Sequence, residues 1–474
     1  MIGMSIYSDI DRKFLIPLGD KLMGRDLHGE FVNALSTEWL SESELLELQN
    51  EKLQKLIKHC YENVPYYRSV FEERHLIPDD IKTRDDLIKL PILTKQIVNI
   101  HYDEIVSKDY NQRKHIDDST GGSTGTPMRY KEDIQTWSKL RSLNFRGWYW
   151  AGFHVGEKLF TLGGNSLVKK NTNGKKLLVK NVYDRFIMRN YKCDCTDITP
   201  NALEGYYKSM MKYKPLGIRG YASSLYFLAK YIENNNLPVC EVKVVFTTGE
   251  KLHPKYRYKI QQVFHAPVFD GYGASDGGVT AHECYMHEGL HIGEEHCIVE
   301  IVDNDGNILP NGEVGHVITT DLNNYVFPFL RYKVGDLAYI KKELCSCGRK
   351  HRLLGEVIGR EGRAIYNKQG RPFSSIVIDN MFFKDLDFHT EEYQRLYEKM
   401  ERFQIRQDKK GDLRILIKPV DPHESKSTFD YIKDNFGIYF PGSKVDIDFV
   451  DEIPPLPSGK EDYCVSEFTD FQSN

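Results

Sequence analysis

Long apolar runs are missing from this 474-residue sequence. Its uncharged aromatic-aliphatic stretches end at the length of Tyr221–Ala229, far short of the ~20 residues needed to cross a bilayer. No membrane span is expected. Met1–Lys13 carries Asp9 and Asp11 and has no apolar h-region, so a secretory signal is not expected either. An excess of one charge is also lacking: 64 Lys and Arg face 68 Asp and Glu, for a net charge of -4, with no long run of either sign. A nucleic acid or an anionic membrane is thereby disfavoured as a partner. Cysteines number nine, an odd count for a disulfide framework. Two pairs, Cys193/Cys195 and Cys345/Cys347, are too closely spaced to bridge without strain. A reducing, cytoplasmic setting is the expectation. Internal repeats and low-complexity segments are absent.

What is present describes a globular protein, with 28% charged and 40% hydrophobic residues in a chain longer than one hydrophobic core sustains. Ser41–Arg74 repeats apolar residues at three- and four-residue spacing and is broken at Pro65, which predicts amphipathic helices in a helical lead-in over residues 1–105. From Glu204 to Thr247 helical stretches alternate with short apolar strands, the pattern of βαβ units and a mostly parallel sheet. After Cys297 period-two segments separated by Asp-Gly and Asn-Gly predict a small β-barrel-like or antiparallel part. Beyond Gly359, strands are expected at Phe403–Ile405, Arg414–Lys418 and Lys444–Phe449, with helices at Ser374–Met381 and Lys426–Phe436. The fold class is therefore α/β, with a large N-terminal domain over 1–358 and a smaller, mobile α+β domain over 359–474.

The first chemical signal is Ser119-Thr120-Gly121-Gly122-Ser123-Thr124-Gly125-Thr126-Pro127. Its glycines permit close backbone approach, and its hydroxyls and N–H groups can wrap a phosphate. It is no Walker A loop, because Thr126 stands where the lysine must follow the glycine. Further on come Thr247-Thr248-Gly249-Glu250, Asp270-Gly271-Tyr272-Gly273-Ala274-Ser275-Asp276, Arg331-Tyr332-Lys333-Val334-Gly335-Asp336, Ile358-Gly359-Arg360 and Pro457-Ser458-Gly459-Lys460. In this order the motifs resemble those of the adenylate-forming superfamily of acyl-CoA synthetases and adenylation domains. NVPYYRSVF, LPILTK and the Cys345–Arg349 segment make the chain similar to the phenylacetate-CoA ligase and CapK-like branch.

The resemblance implies roles. The 119–127 loop would cradle the β- and γ-phosphates of ATP, and Lys460 would bridge the acid's carboxylate and the α-phosphate. Asp336 would take the ribose hydroxyls. Gly249, Glu250, Asp270, Gly271 and Tyr272 would flank adenine, with Gly273, Ser275 and Arg360 in the same nucleotide-binding motifs. Tyr221, Ala222 and Ser223 lie where the family builds part of its acyl pocket. Asp276 stands where the family has a magnesium-binding glutamate; an oxygen ligand is kept on a shorter stem. Glu361 and Gly362 occupy the hinge, where Gly362 gives the freedom a rotating C-terminal domain needs.

Cys284, His291, Cys345 and Cys347 form a soft donor set suited to a closed tetrahedral zinc, with His282 and His287 as substitutes for His291. The alternative is four unrelated residues and a tight turn at Cys345–Gly348. His287-Glu288-Gly289-Leu290-His291 spells HExxH, but that motif works only on a helix, and Gly289 with the strand-like run that follows argues against one. Cys193 and Cys195 read as ordinary thiols. Phe145, Trp148, Tyr149 and Trp150 have helical spacing and are assigned to core packing ahead of an acid-binding pocket. Lys169–Lys180 reads as a solvated hairpin, a contact to coenzyme A phosphates being the alternative.

The expected function is an ATP-dependent, AMP-forming acid-thiol ligase using ATP, Mg²⁺ and coenzyme A on a small carboxylic acid, aromatic acids included; a homodimer is compatible with it. The alternative enzyme transfers an acyl or aminoacyl group to an amine or carrier in capsule or natural-product assembly. The non-enzyme alternative is a nucleotide-binding scaffold.

Overall fold

The computed structural model describes residues 14–119, 128–164, 167, 183–195, 197, 199–360, 365–369, 372–373, 399–453 and 464–468. The chain before the first strand is helical. α1 (Leu27–Thr37) is capped by Asp26, whose carboxylate accepts the Gly29 N–H at 2.8 Å. α2 (Glu42–Asn63) begins with a reciprocal cap in which Ser41 Oγ accepts the Glu44 N–H and the Glu44 carboxylate accepts the Ser41 N–H, satisfying two N–H groups that the helix leaves open. α3 (Pro65–Glu73) opens with Pro65, where a missing N–H costs nothing. The expected break is thus the start of a new helix. The Gln49 side chain donates to the carbonyls of Glu294 and Cys297 at 2.9 and 3.2 Å, tying α2 to the body of the protein.

β1 (His115–Ser119) and β2 (Arg129–Asp133) pair antiparallel, and the Gly-rich segment connects them. α4 (Ile134–Trp150) follows, then β3 (Leu159–Gly163), β4 (Asn190–Asp194), α5 (Pro200–Tyr213), β5 (Gly217–Gly220), α6 (Ala222–Asn234), β6 (Val244–Thr248), α7 (Pro254–Phe264), β7 (Val268–Ala274), β8 (Val279–Glu283) and β9 (Leu290–Ile292). β10 (Cys297–Val302), β11 (Gly315–Asp321) and β12 (Tyr332–Ala338) lead to β13 (Leu353–Leu354), which returns to β9, and to β14 (Gly359–Arg360). The large sheet has the order β13-β9-β8-β7-β6-β5-β3-β4. It is parallel from β4 through β7 and antiparallel from β7 to β13. The crossover helices α5, α6 and α7 cover one face of the parallel half, and α4 packs on the other. Val245 and Val268 bury under α5, α6 and α7, while their neighbours Phe246 and Phe269 face the opposite way, toward Phe145 and Trp148 of α4.

The strand-rich part after Cys297 takes the antiparallel form, β10-β11-β12-β14, with β10 and β14 at its edges. Arg331 is buried, pairs with Glu300 at 3.1 Å and donates to the Leu90 carbonyl at 3.0 Å, locking this sheet to the lead-in.

Past β14, β15 (Ile365–Tyr366) pairs with β16 (Pro372–Phe373). β17 (Met400–Gln407), β18 (Leu413–Pro419), α8 (Asp430–Tyr439), β19 (Val445–Phe449) and β20 (Cys464–Ser466) form a sheet ordered β19-β18-β17-β20 with one helix. Ile405, Ile415, Ile417, Ile432 and Phe436 belong to a core of its own. The strands expected around Phe403, Arg414 and Lys444 and the helix near Lys426 all form; Ser374–Met381 lies outside the described residues. Among the described residues no helix is long and apolar enough to cross a membrane.

Candidate active site

β6 ends at Thr248 and passes into Gly249, whose φ of +76° is open to glycine at little cost. The next residue, Glu250, turns its carboxylate to the Ser223 N–H at the start of α6, 2.9 Å away. On the neighbouring β7, Asp270 accepts the Thr247 hydroxyl at 2.6 Å. Burial, reinforced by the Glu283 carboxylate, pushes Asp270 up to about 6. The Tyr272 hydroxyl donates to Asp336 Oδ2 at 2.8 Å, joining β7 to β12. Four residues later Asp276 accepts the Tyr332 hydroxyl at 3.1 Å. Gly277 and Gly278 follow at φ +86° and +71°, a turn that a Cβ on Gly278 would jam against Asp321 Oδ2 at 2.6 Å. Carboxylates from two sheets therefore collect at the carboxyl ends of parallel strands, where open α/β sheets bind ligands.

Of the residues singled out in the sequence, Gly249, Glu250, Asp270, Gly271, Tyr272, Gly273, Ser275, Asp276 and Asp336 fall in this one region. Ser119 ends β1, and Arg360 pairs with Asp336 across β12 and β14. Thr120, Gly121, Gly122, Ser123, Thr124, Gly125, Glu361, Gly362, Lys460 and Lys169–Lys180 lie outside the described residues. Tyr221 and Ala222 are packed in the core under α6, and Ser223 meets Glu250.

A cavity lies behind the strand ends, lined among others by Asn144, Trp148, Arg219, Phe246, Phe269 and His282. Tyr221, Ala222 and Ser223 are not part of its lining. Trp148 serves both readings of the aromatic cluster, packing in the core and walling the cavity. Burial, with the charges of Arg219 and Arg146, pushes His282 down to about 3, so its imidazole is neutral. Arg219 reaches this lining from β5, the short strand Gly217–Gly220.

A second cluster sits past the end of β8. The donor atoms of Cys284, His291, Cys345 and Cys347 all lie within 4.8 Å of one another. Cys284 Sγ stands 3.6 Å from Cys345 Sγ, and Cys347 Sγ stands 3.5 Å from His291 Nε2. A tetrahedral zinc with ~2.3 Å thiolate and ~2.0 Å imidazole bonds requires about 3.8 and about 3.5 Å for these edges, so the donor set fits that ion. Glu288 braces the turn, accepting the Ser346 N–H and hydroxyl at 2.8 and 2.7 Å. The HExxH reading fails on geometry: His287 has φ +54°, Gly289 has φ +150°, and β9 starts at Leu290. His287 pairs with Glu283 at 3.1 Å instead. Cys195 accepts the Ser224 hydroxyl at 3.1 Å, and Cys193 is half-buried on β4; both are free thiols.

No protein-family model matches the chain. It is 26% identical over 335 residues to a phenylacetate-coenzyme A ligase of Thermus thermophilus, covering 68% of this chain and 72% of that protein. It is 26% identical over 332 residues to protein CapK of Staphylococcus aureus, covering 69% and 70%. These likenesses support the adenylate-forming superfamily, on its phenylacetate-CoA ligase and CapK-like branch. Its fold is similar to that of a 2-hydroxyisobutyryl-CoA ligase in the postadenylation state, with a TM-score of 0.71 at 16% identity over 92% of both chains. Asp276 and Asp336, two of the converging carboxylates, stand in the motifs that carry the resemblance.

Proposed function

We propose that the protein is an ATP-dependent carboxylic acid ligase that forms an acyl-adenylate and passes the acyl group to coenzyme A. The observation that carries this reading is the meeting of Tyr272 with Asp336 and of Asp276 with Tyr332 at the ends of the parallel strands. In the first step a carboxylate oxygen attacks the α-phosphorus and pyrophosphate leaves. In the second the thiol sulfur attacks the acyl carbon, and AMP departs with the electron pair of the broken C–O bond. Asp336 accepts the ribose hydroxyls, held in place by the Tyr272 hydroxyl. Gly249 lets the backbone after β6 approach adenine closely. Lys460 places a cation against the charge that develops between carboxylate and phosphate, and the 119–127 loop holds the outer phosphates in line.

Asp276 would hold Mg²⁺, which when bound neutralises phosphate charge. Cys284, His291, Cys345 and Cys347 would hold a zinc with a full ligand shell that fixes the turn after β8 and takes no part in the reaction. Residues 359–474 act in this scheme as a separate domain that brings Lys460 to the site for the first step and withdraws it for the second, about Glu361 and Gly362.

Pyrophosphate release measured with ATP, Mg²⁺ and a panel of acids, with hydroxylamine to trap the adenylate, tests the first step. Acid-dependent release is expected, followed by loss of free thiol when coenzyme A is added. A protein that binds ATP but releases no pyrophosphate with any acid is a nucleotide-binding scaffold. One that releases pyrophosphate but consumes an amine or a carrier in place of coenzyme A has the other acceptor.

A further inference from the structure

The candidate metal ligands Cys284, His291, Cys345 and Cys347 have buried charge beside them. Arg349, two residues past Cys347, is 6% exposed, and Glu38, in the turn that closes α1, is 9% exposed. Glu38 is the anchor of this group. It accepts the Trp39 indole N–H at 2.9 Å, the Trp150 indole N–H at 2.7 Å and Arg349 Nη2 at 3.2 Å. The guanidinium carbon lies 4.5 Å from the Trp39 ring centroid and 4.4 Å from that of Trp150, so the two indoles that hold the carboxylate also attract the cation. Trp150 is the link to the cysteines, packing with Cys284, Cys345 and Cys347 and standing 5.3 Å from His291 between ring centroids.

One carboxylate does not satisfy a guanidinium. Arg349 directs Nη2 to Glu38, while Nε and Nη1 are buried and have no hydrogen-bond partner among the described residues. The backbone N–H and the guanidinium of Arg349 both bear on the Cys347 sulfur. Buried N–H groups of a cation are costly to leave unmatched. A divalent ion held by three thiolates and a neutral imidazole answers them: two positive charges against three negative leave the centre one unit negative. Such a centre in turn needs a cation beside it. The other buried guanidinium nearby, Arg146, is taken by Glu295, and Lys341 donates its ammonium to the Glu288 carbonyl at 2.6 Å.

We infer that Arg349 is the counter-charge of a metal centre formed by Cys284, His291, Cys345 and Cys347: its guanidinium, fixed by Glu38 over Trp39 and Trp150, neutralises the third thiolate and donates to the Cys347 sulfur. Thiolate, guanidinium and carboxylate then alternate in sign from the ion outward. Outer groups of this kind set the orientation and basicity of metal ligands. A lysine in this place brings the charge but lacks the planar fork that meets a carboxylate and a sulfur together. The same side chain joins distant parts of the chain, since Glu38 and Trp39 belong to the helical lead-in, Trp150 ends α4 and Arg349 follows the Cys345 turn. Metal occupancy and docking of the lead-in are thereby coupled through one guanidinium.

This inference rests on the zinc reading of the four ligands, and the experiment separates the two. Zinc affinity of the full chain is measured by competition with a chromogenic chelator, and Tm is measured with zinc and after its removal. Arg349→Met is expected to bind zinc about 10- to 100-fold more weakly than the wild type, the usual effect of losing a group that supports a metal ligand, and Arg349→Lys is expected to fall between them. Zinc stabilises the folded form in proportion to its affinity, so the Tm gap between Arg349→Met and wild type should be wider with zinc than without. A residue that only packs the lead-in against α4 gives unchanged zinc affinity and the same gap in both states. Either result in a folded Arg349→Met protein overturns the inference and leaves the zinc reading standing, as does an Arg349→Lys protein that binds zinc no better than Arg349→Met. Should Arg349→Met not fold, Arg349→Gln, polar but uncharged, is judged by the same affinity. Wild-type protein that binds no zinc overturns the zinc reading and this inference together, and leaves the ligase reading untouched.

Discussion

At the scale of single residues, a hydroxyl or a buried carboxylate sets what the site can do. Tyr272→Phe removes the donor to Asp336 while keeping the ring, so KM for ATP is expected to rise about five-fold, the worth of one hydrogen bond. Steady-state kinetics with varied ATP should show kcat nearly unchanged. Lys460→Ala is expected to slow pyrophosphate release by 10²- to 10³-fold, roughly the effect of losing one preorganised charge partner; an unchanged rate would remove Lys460 from the mechanism. Asp321 illustrates linkage. It is 1% exposed, and burial pushes it up to about 7. Between about pH 4, where a free aspartate ionises, and pH 7 the folded state therefore holds a proton that the unfolded state has lost. Stability must fall as pH rises through that window. Urea unfolding at pH 4.5 and pH 7 should show a smaller decline for Asp321→Asn than for the wild type. The buried histidines His282, His291 and His296, each pushed down to about 3 chiefly by burial, act in the opposite sense. The difference between variant and wild type isolates Asp321.

At the scale of elements, α4 and the turn carrying Cys345 are the tests. Replacing an internal helix glycine by alanine ordinarily stabilises by ~1 kcal/mol. At Gly147 the added methyl meets the His282 ring. Gly147→Ala is therefore expected to destabilise by roughly 1–3 kcal/mol through overpacking. Urea denaturation checks it. The cluster of Cys284, His291, Cys345 and Cys347 joins β8, β9 and the loop before β13, elements otherwise linked by short ladders. About one equivalent of zinc per chain is expected, together with its loss and a lowered Tm on Cys345→Ser. Metal-free protein that melts like the wild type would end the zinc assignment.

At the scale of the whole molecule, the buried apolar residues divide into separate clusters, and the one built on β17, β18, β19 and α8 draws all its members from Ile365 onward. Contacts between this unit and the rest include the Arg402 guanidinium over the Phe227 ring at 4.8 Å and the small cluster of Leu337, Ile358, Tyr366 and Phe468. Such a chain is not expected to unfold in one step. Calorimetry should show two transitions, and chelation of zinc should lower only the one belonging to the larger unit, because all four candidate ligands lie before residue 358. A single transition that shifts as a whole would mean that the two units are one cooperative body.

What could be read from the sequence is what local physics encodes. Pro65, the Ser41/Glu44 cap and the three- and four-residue spacing of leucines determine the lead-in helices, and alternation of helix with short apolar strand determines a parallel sheet. Soft donor types at Cys284, Cys345 and Cys347 mark a candidate metal cluster before any distance is known. Three decisions belonged to the tertiary structure. The choice of His291 over His282 and His287 follows from position across the sheet: His291 on β9 stands beside the thiols, while its register neighbour His282 on β8 lines the cavity and His287 pairs with Glu283. Tyr221 and Ala222, which resemblance assigns to the acyl pocket, are drawn into the core beneath α6. The cavity itself unites residues 144, 219, 246, 269 and 282, far apart in the chain, and their meeting depends on strand order and register. Periodicity says that a strand has two faces; only the packed sheet and the helices laid over it decide what each face meets.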